Sequence, residues 1–177
     1  MIACCKWFVL GGLLLLPTAY GFEVQGEGEV VWVADGDSFY FKPDDTLMWE
    51  KLKRRARDKQ VETGRWLRVG DRFKYEDKSF LVRVGNVNTA ESAPLGQGNS
   101  TAAGQLATAF AKQVLMGTRG TLFCWDIGYY GRPICSFWTH DWEYGQRLIA
   151  NDHSDYVTKY GRHPRFHKKY VGAMQAR

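Results

Sequence analysis

The sequence predicts an α+β, mainly β fold in which a small β-barrel carries packed helices. Short runs of alternating apolar and polar residues recur along the chain, as they do in half-buried strands. A helical pattern, a hairpin and a second helical pattern follow these runs. The chain has 177 residues, which is enough for one domain with a substantial hydrophobic core. We therefore expect a single domain over residues 22–177.

The first half of this domain alternates strand and helix patterns. Residues 29–41 alternate as two strands around a bend at Asp35-Gly36-Asp37. A helix is expected after Pro43, with Asp44 or Asp45 as its N-cap and Gly64 at its end. The basic face of this segment, 44–64, is either a set of phosphate contacts or a solvated surface. Further strands are expected at 65–69, 71–75 and 79–87.

The second half is predicted as a helix, a hairpin and a short helix. Ser100 or Thr101 caps a helix to about Met116, with Ala103, Leu106, Ala107, Phe110 and Val114 on one apolar stripe. Residues 121–126 and 132–138 form the hairpin, and 144–150 the short helix. The basic, aromatic tail 151–177 is either a base-stacking, phosphate-binding segment or a partly ordered terminus.

Residues 1–21 have the features of a signal peptide that is removed on export. Lys6 precedes an apolar stretch over residues 7–16, and small residues at Ala19 and Gly21 favour cleavage before Phe22. A membrane anchor is the alternative, but the stretch is far shorter than the ~20 residues that span a bilayer. We expect a periplasmic or secreted protein with no stable membrane span after cleavage.

The net charge of the chain is +5, with 24 lysines and arginines against 19 acidic residues. Removal of Lys6 with the leader lowers the charge by one. A modest positive charge favours an anionic partner, although an ordinary basic surface that keeps the protein soluble has the same composition. Charge alone therefore does not decide the function.

Two cysteines, Cys124 and Cys135, remain after removal of the leader. They fall on the two strands of the predicted hairpin, where a two-residue turn at Tyr129-Tyr130 places them opposite each other. An exported protein meets oxidising conditions. A disulfide is therefore expected, with two buried thiols as the alternative.

Three separated motifs supply charged side chains in an order that suits phosphodiester cleavage. They are Asp35-Gly36-Asp37-Ser38, the stretch from Arg83 to Glu91, and Tyr130-Gly131-Arg132. Carboxylates hold a hard cation, arginines grip phosphate oxygens with a planar fork, and a glutamate activates water. Each motif alone is also typical of a tight turn or a surface ion pair. Their combination favours a phosphate-binding site.

These motifs resemble those of the thermonuclease, or staphylococcal nuclease-like, family over about residues 29–150. The resemblance implies an OB-fold five-stranded β-barrel with packed helices and a calcium-dependent nuclease activity. It implies a site in which each residue has one role. Asp37, Asn88 and the carbonyl of Thr89 would bind one Ca²⁺, with Asp35 behind them; Arg83 and Arg132 would grip the phosphate, Glu91 would act as general base, and Tyr130 would lie near a terminal phosphate.

The chain departs from the family pattern at three places. Asn88 stands where the family has an aspartate, Ala90 where it has a proline, and segment 44–64 resembles an inserted basic helix. An amide oxygen still binds calcium but carries no charge, so we expect weaker metal binding and reduced activity. The expected protein is a monomeric, exported nuclease that cuts DNA, RNA or both with little sequence preference.

Two other functions stay open from the sequence. The first is an OB-type module that holds single-stranded nucleic acid without cutting it, which Asn88 favours. The second is an envelope interaction protein that uses segment 44–64 to dock a partner such as a secretion or conjugation apparatus.

Overall fold

The computed structural model describes residues 21–92 and 101–177. The predicted leader lies outside these ranges except for Gly21, and so does most of the loop between residues 92 and 101. The described residues form five strands and five helices. In chain order they are β1 (Val24–Asp35), β2 (Ser38–Pro43), α1 (Thr46–Thr63), α2 (Val69–Arg72), β3 (Phe80–Val84), α3 (Ala102–Leu115), β4 (Arg119–Ile127), β5 (Pro133–Trp138), α4 (Tyr144–Ala150) and α5 (His167–Gln175).

The strands close into one barrel with the neighbour order β1-β2-β3-β5-β4. β3 and β5 are parallel, and the other neighbours are antiparallel. The long β1 pairs first with β4 and then with β2, and both ladders include Gly28. A Cβ at Gly28 would lie 2.3 Å from the Lys42 carbonyl oxygen, so glycine allows this close approach. The predicted α+β barrel is confirmed, and its five mixed strands are consistent with an OB-like class.

The predicted basic helix is present as α1, and it belongs to the core. The Asp45 carboxylate accepts a hydrogen bond from the Leu47 N–H at 2.8 Å, and Gly64 ends the helix with a φ of 63°. Trp49 and Leu52 are buried in the main hydrophobic cluster. α1 is therefore an integral element of the fold, and its removal would expose the barrel core.

The strands predicted at 65–69 and 71–75 are wrong. Residues 69–72 form the short helix α2, and Phe73 makes one isolated bridge to Phe80. Leu67, Val69 and Phe73 are buried, so the apolar alternation in the sequence is real. It reflects side chains that pack on the barrel from a connecting segment, and no ladder of hydrogen bonds accompanies it in this part of the described chain.

The predicted cap of α3 is confirmed, and its predicted stripe is confirmed in part: Ala107 is buried and Phe110 and Val114 pack against the core, whereas Ala103 and Leu106 are exposed. The Thr101 hydroxyl accepts a hydrogen bond from the Gly104 N–H at 3.0 Å. The buried positions are Gly104, Ala107, Ala111 and Leu115, while Leu106 is 64% exposed. Small residues face inward because the helix lies close to the backbone: a Cβ at Gly104 would be 2.1 Å from the Glu91 carbonyl oxygen.

The predicted disulfide between Cys124 and Cys135 is confirmed, with 4.0 Å between the two Cα atoms. The predicted two-residue turn is wrong, because the pairing of Ile127 with Pro133 leaves a five-residue loop, 128–132. A register shift between Cys124 and Asp126 absorbs the difference. The cysteines thus stay opposite each other although the turn is longer.

The C-terminal tail is folded onto the barrel, so neither prediction made for it describes Tyr156, Phe166 and Tyr170, which pack on the core. Tyr170 in α5 is fully buried and donates a hydrogen bond to the Glu143 carboxylate at 3.0 Å. Tyr160 remains 87% exposed. The hydrophobic core accordingly extends past residues 29–150 and includes Val24 and Ala173. No helix within the described ranges is long and apolar enough to cross a bilayer.

Candidate functional site

The candidate residues meet where three neighbouring strands of the barrel end. The turn of Gly36 and Asp37 joins β1 to β2, Arg83 lies near the end of β3, and Arg132 directly precedes β5. Arg83 is paired with Ser38 on one side and with Ile134 on the other. The strand order therefore brings three motifs that are distant in sequence to one edge of the barrel.

Asp37 is the buried centre of this edge. Its side chain is 3% exposed and forms an ion pair with Arg83, which is 20% exposed. The carboxylate also accepts hydrogen bonds from the Ser38 hydroxyl at 3.0 Å and from the Thr89 N–H at 3.0 Å. A buried carboxylate with a cation and two hydrogen-bond donors is a well-satisfied anion. Asp37 thus fixes the position of the Arg83 guanidinium.

Asn88 binds the second terminal nitrogen of the Arg83 guanidinium, while Asp37 pairs with the first. Arg83 Nη2 donates to Asn88 Oδ1 at 2.8 Å and to the Val87 carbonyl at 3.2 Å. The Asn88 backbone N–H donates to the Ser154 hydroxyl at 2.8 Å, which ties this loop to the segment after α4. Asn88 is exposed, so one side of the guanidinium group faces solvent next to the amide.

Arg132 reaches the same network through Ser38. Arg132 Nη1 donates to the Ser38 hydroxyl at 2.9 Å, and that hydroxyl donates to Asp37. Gly131 has a φ of 80°, and a Cβ there would lie 2.3 Å from the Leu67 carbonyl oxygen. Only glycine fits this turn without strain. Ser38 has no role in the sequence prediction, although it follows Asp37 directly and its hydroxyl links the two arginines.

The pKa values of Arg83 and Arg132 reflect their burial and the charges around them. Burial lowers the pKa of Arg83 to about 10, with a further lowering from Arg132 and opposing contributions from Glu91 and Asp35. Burial also lowers the pKa of Arg132, against contributions from Glu91 and Asp35 that raise it. Both guanidinium groups remain charged at neutral pH. The partly desolvated pair favours an added anion more strongly than exposed arginines would.

Asp35 lies beside the turn, and its carboxylate is bound by hydroxyl groups. Asp35 Oδ1 accepts hydrogen bonds from the Ser92 hydroxyl at 2.7 Å and the Thr108 hydroxyl at 3.0 Å. It also accepts one from the Gly36 N–H at 2.8 Å. This carboxylate therefore links the turn to α3. The partner Thr108 gave no signal in the sequence, because it lies 73 residues away.

Glu91 projects from a backbone that α3 holds in place. Its carbonyl oxygen accepts a hydrogen bond from the Thr101 N–H at 3.2 Å. Its side chain is exposed, and its charge raises the pKa of both arginines. The carboxylate is thus in contact with solvent, and its charge acts on the two guanidinium groups.

The oxygen donors at this edge fit a calcium ion only as a weak site. Asp37 supplies one carboxylate, which Arg83 already pairs, and Asn88 supplies one neutral amide oxygen. The Thr89 hydroxyl is buried without a hydrogen-bond partner. No group of three or more His, Cys, Asp or Glu residues in the described part of the chain is arranged to hold a metal. Calcium accepts neutral oxygens and water, but its affinity falls with the number of charged ligands.

Two exposed tyrosines border the site on the hairpin loop. Tyr129 is 66% exposed and Tyr130 is 63% exposed, and their rings are 5.0 Å apart. The Arg65 guanidinium lies 4.0 Å from the Tyr129 ring centroid. Tyr130 contributes to the electrostatic environment of Arg132, so the predicted substrate-binding tyrosine lies near the predicted phosphate-binding arginine.

No protein-family model matches this chain, and no curated protein is significantly similar to it.

Proposed function

We propose that this protein is an exported phosphodiester hydrolase of the thermonuclease type that cuts DNA, RNA or both. One observation carries the proposal. Arg132, Ser38, Asp37 and Arg83 form a continuous chain of polar contacts that holds two partly buried guanidinium groups on one edge of the barrel. Such a pair of fixed forks suits the oxygens of a phosphodiester.

The two arginines supply charge where the reaction needs it. Attack of water on a phosphodiester concentrates negative charge on the non-bridging oxygens. Fixed donors stabilise that charge without reorganisation, and the loss of one such donor typically costs about 10²–10³ in rate. Asp37 and Asn88 hold Arg83 from two sides, and Ser38 orients Arg132. This orientation is what distinguishes the pair from surface arginines.

Glu91 is the candidate for the general base. Its side chain is exposed and its backbone is fixed by Thr101. A carboxylate that lies within hydrogen-bond reach of a water molecule can accept its proton as the water attacks. Its charge acts on both arginines, which supports a position near the bound phosphate.

A calcium ion would be held by Asp37, by the Asn88 amide oxygen and by the Thr89 carbonyl. When bound, it would polarise the phosphate as a Lewis acid. Arginine contacts to phosphate carry no sequence information. We therefore propose little sequence preference and a nucleic-acid strand as the substrate class.

A binding module without cleavage is the second candidate, and the ion pair between Arg83 and Asp37 favours it. A carboxylate that is already paired is a poorer metal ligand. Incubation of the purified protein with plasmid DNA and with RNA, in calcium and in chelator, separates the two functions. Calcium-dependent cleavage supports the hydrolase. A retarded but intact nucleic acid supports the binding module. If the nucleic acid is neither cleaved nor retarded, a nucleic-acid function is rejected.

A further inference from the structure

A short segment after α1, outside the three motifs, lies against the hairpin loop, residues 128–132. The Arg65 guanidinium lies 4.0 Å from the Tyr129 ring centroid. Two residues further along both stretches, a Cβ at Gly131 would lie 2.3 Å from the Leu67 carbonyl oxygen. These two contacts follow the same order along the segment and along the loop. They therefore hold the segment beside the loop over its whole length.

Two further contacts fix this segment from the side of α1. Lys59 Nζ pairs with the Asp126 carboxylate at 2.6 Å, which ties the C-terminal part of α1 to the end of β4. Gln60 Oε1 accepts a hydrogen bond from the Leu67 N–H at 3.0 Å, which ties the segment back to the helix. The segment is thus bound to α1 and to the hairpin at the same time, and its exposed side chains project from a fixed support.

The hairpin loop presents its two tyrosines at a tight turn. The Gly131 N–H donates to the Gly128 carbonyl at 3.0 Å, and the Gly128 N–H donates to the Arg132 carbonyl at 2.8 Å. Tyr129 and Tyr130 are the two central residues of this turn, and both side chains are exposed. Arg132 follows the turn directly, so the tyrosines adjoin the edge of the barrel that carries the two arginines.

Trp66 adds a third exposed aromatic side chain to this surface. It stands between Arg65 and Leu67, which both contact the hairpin loop, and it is 80% exposed. We call Arg65, Trp66, Tyr129 and Tyr130 the aromatic platform. Exposed aromatic side chains that lie together on a fixed support mark a binding surface, whereas single exposed apolar residues are ordinary.

The other large exposed aromatic side chains of the described chain form no such cluster. The Tyr75 ring already carries the Lys53 ammonium 3.2 Å from its centroid and packs against Trp49 at 5.1 Å. Trp32 and Tyr160 are exposed and make no ring-to-ring contact with another described residue. The hairpin is therefore the place where exposed rings, a stacked cation and the phosphate-binding edge come together.

We propose that the aromatic platform binds unpaired nucleobases of the strand whose phosphate lies at Arg83 and Arg132. Aromatic rings stack on the faces of bases without regard to sequence, and the Arg65 guanidinium both stacks on rings and attracts phosphate. Bases inside a duplex have their faces covered by neighbouring bases, so the platform takes a single strand. The inference rests on the proposed function and names its substrate more closely, as single-stranded nucleic acid.

The test compares Tyr129→Leu and Trp66→Leu with the matched variant Trp32→Leu, which removes an exposed ring from β1. Fluorescence anisotropy measures binding of phosphorothioate-linked octanucleotides of DNA and of RNA, which resist cleavage, and of abasic strands with the same linkages. The parent protein should bind the strands with bases about tenfold more tightly than the abasic strands. We expect each platform variant to weaken binding of the strands with bases about tenfold and to leave the abasic strands unchanged. Trp32→Leu should change each affinity less than twofold.

A conservative variant separates stacking from folding. Tyr129→Phe keeps the ring and should recover most of the affinity that Tyr129→Leu loses. Equal losses on abasic strands and on strands with bases, or no loss in either platform variant, would overturn the platform while the proposed function stands. Equal affinities of the parent protein for the two kinds of strand would do the same. Failure of the parent protein to bind any of these strands would overturn the proposed function as well.

Discussion

Two regions of this protein bury polar groups, but only one of them provides a hydrogen-bond partner for every buried group. In the C-terminal anchor, formed by Glu143, Tyr170, Ser136 and His163, each polar side chain has partners. At the arginine edge, formed by Asp37, Arg83 and Arg132, the hydroxyl of the neighbouring Thr89 is buried without a hydrogen-bond partner. Buried polar groups that are satisfied stabilise a fold, whereas an open donor costs free energy unless a ligand pairs it. The comparison therefore indicates that the first region stabilises the fold and that the second region binds a ligand.

In the C-terminal anchor, the buried polar side chains are paired by hydrogen bonds. The Glu143 carboxylate accepts hydrogen bonds from the Gly145 and Gln146 N–H groups at 3.1 and 2.7 Å, and from the Tyr170 hydroxyl at 3.0 Å. His163 Nδ1 accepts from the Arg165 and Phe166 N–H groups at 3.1 and 2.9 Å. Nε2 therefore carries the proton in the neutral ring and donates to the Ser136 hydroxyl. The ring is consequently not a base for Ser136.

The largest expected effect is the loss of the anchor. Tyr170→Ala removes a fully buried ring and a partner of Glu143, and should cost about 3–5 kcal/mol in unfolding free energy. Cleavage per folded molecule should stay unchanged, because the arginine edge does not include this ring. Urea unfolding and a cleavage assay measure both quantities. Tyr160→Ala, at an exposed position, is the control and should alter neither.

The second effect is a pH dependence inside the anchor. Burial raises the pKa of Glu143 from 4.5 to about 7, so its proton is bound more tightly in the folded state and stability falls as pH rises through this window. Burial lowers the pKa of His163 from 6.5 to about 4, so its contribution makes stability rise with pH between these values. The two slopes oppose each other in the range they share.

Glu143→Gln should reveal the pH dependence of stability that His163 contributes, because the opposing contribution of Glu143 is removed. The unfolding free energy of this variant should rise by up to roughly 3 kcal/mol between pH 4 and pH 6.5, whereas that of the parent should change much less because the Glu143 slope opposes it. Denaturant titrations across this range measure the difference. The exposed change Asp141→Asn is the control. Parallel curves for the parent and Glu143→Gln would contradict the assigned role of this carboxylate.

The smallest expected effect concerns the metal. Asn88→Asp introduces a charged oxygen next to Arg83, and should strengthen calcium binding by about tenfold, since added ligand charge raises affinity. Isothermal titration with calcium, beside cleavage rates at low and high calcium, provides the measurement. Asn86→Asp is unsuitable as a control because the Asn86 amide anchors the tail, and so is Asn151→Asp, because the Asn151 amide donates to the Arg147 carbonyl at the end of α4; Gln113→Glu, at an exposed position of α3, serves instead. No gain in affinity would remove Asn88 from the ligand set.

The sequence predicted the features that depend on local chemistry. Asp45, Thr101 and Gly64 sit at helix ends because their side chains or backbone freedom satisfy the ends directly. The cysteines could be paired because they share one hairpin. Arg83 and Arg132 could be named because their motifs carry the charges.

The features that the sequence could not predict depend on contacts across the chain. Thr108 joins Asp35 from a helix, and Tyr170 is buried because Glu143 and the barrel receive it. None of these partners leaves a pattern at short sequence spacing.

The most direct test of the account is cleavage by Arg132→Ala beside Arg119→Ala under single-turnover conditions, normalised to the folded fraction. Arg119 is 60% exposed and pairs only with Asp44 among the described ion pairs, so its loss should leave the rate unchanged. Loss of Arg132 should lower the rate by about a hundredfold to a thousandfold. A rate for Arg132→Ala equal to that of the parent protein would contradict the arginine pair as the site of catalysis.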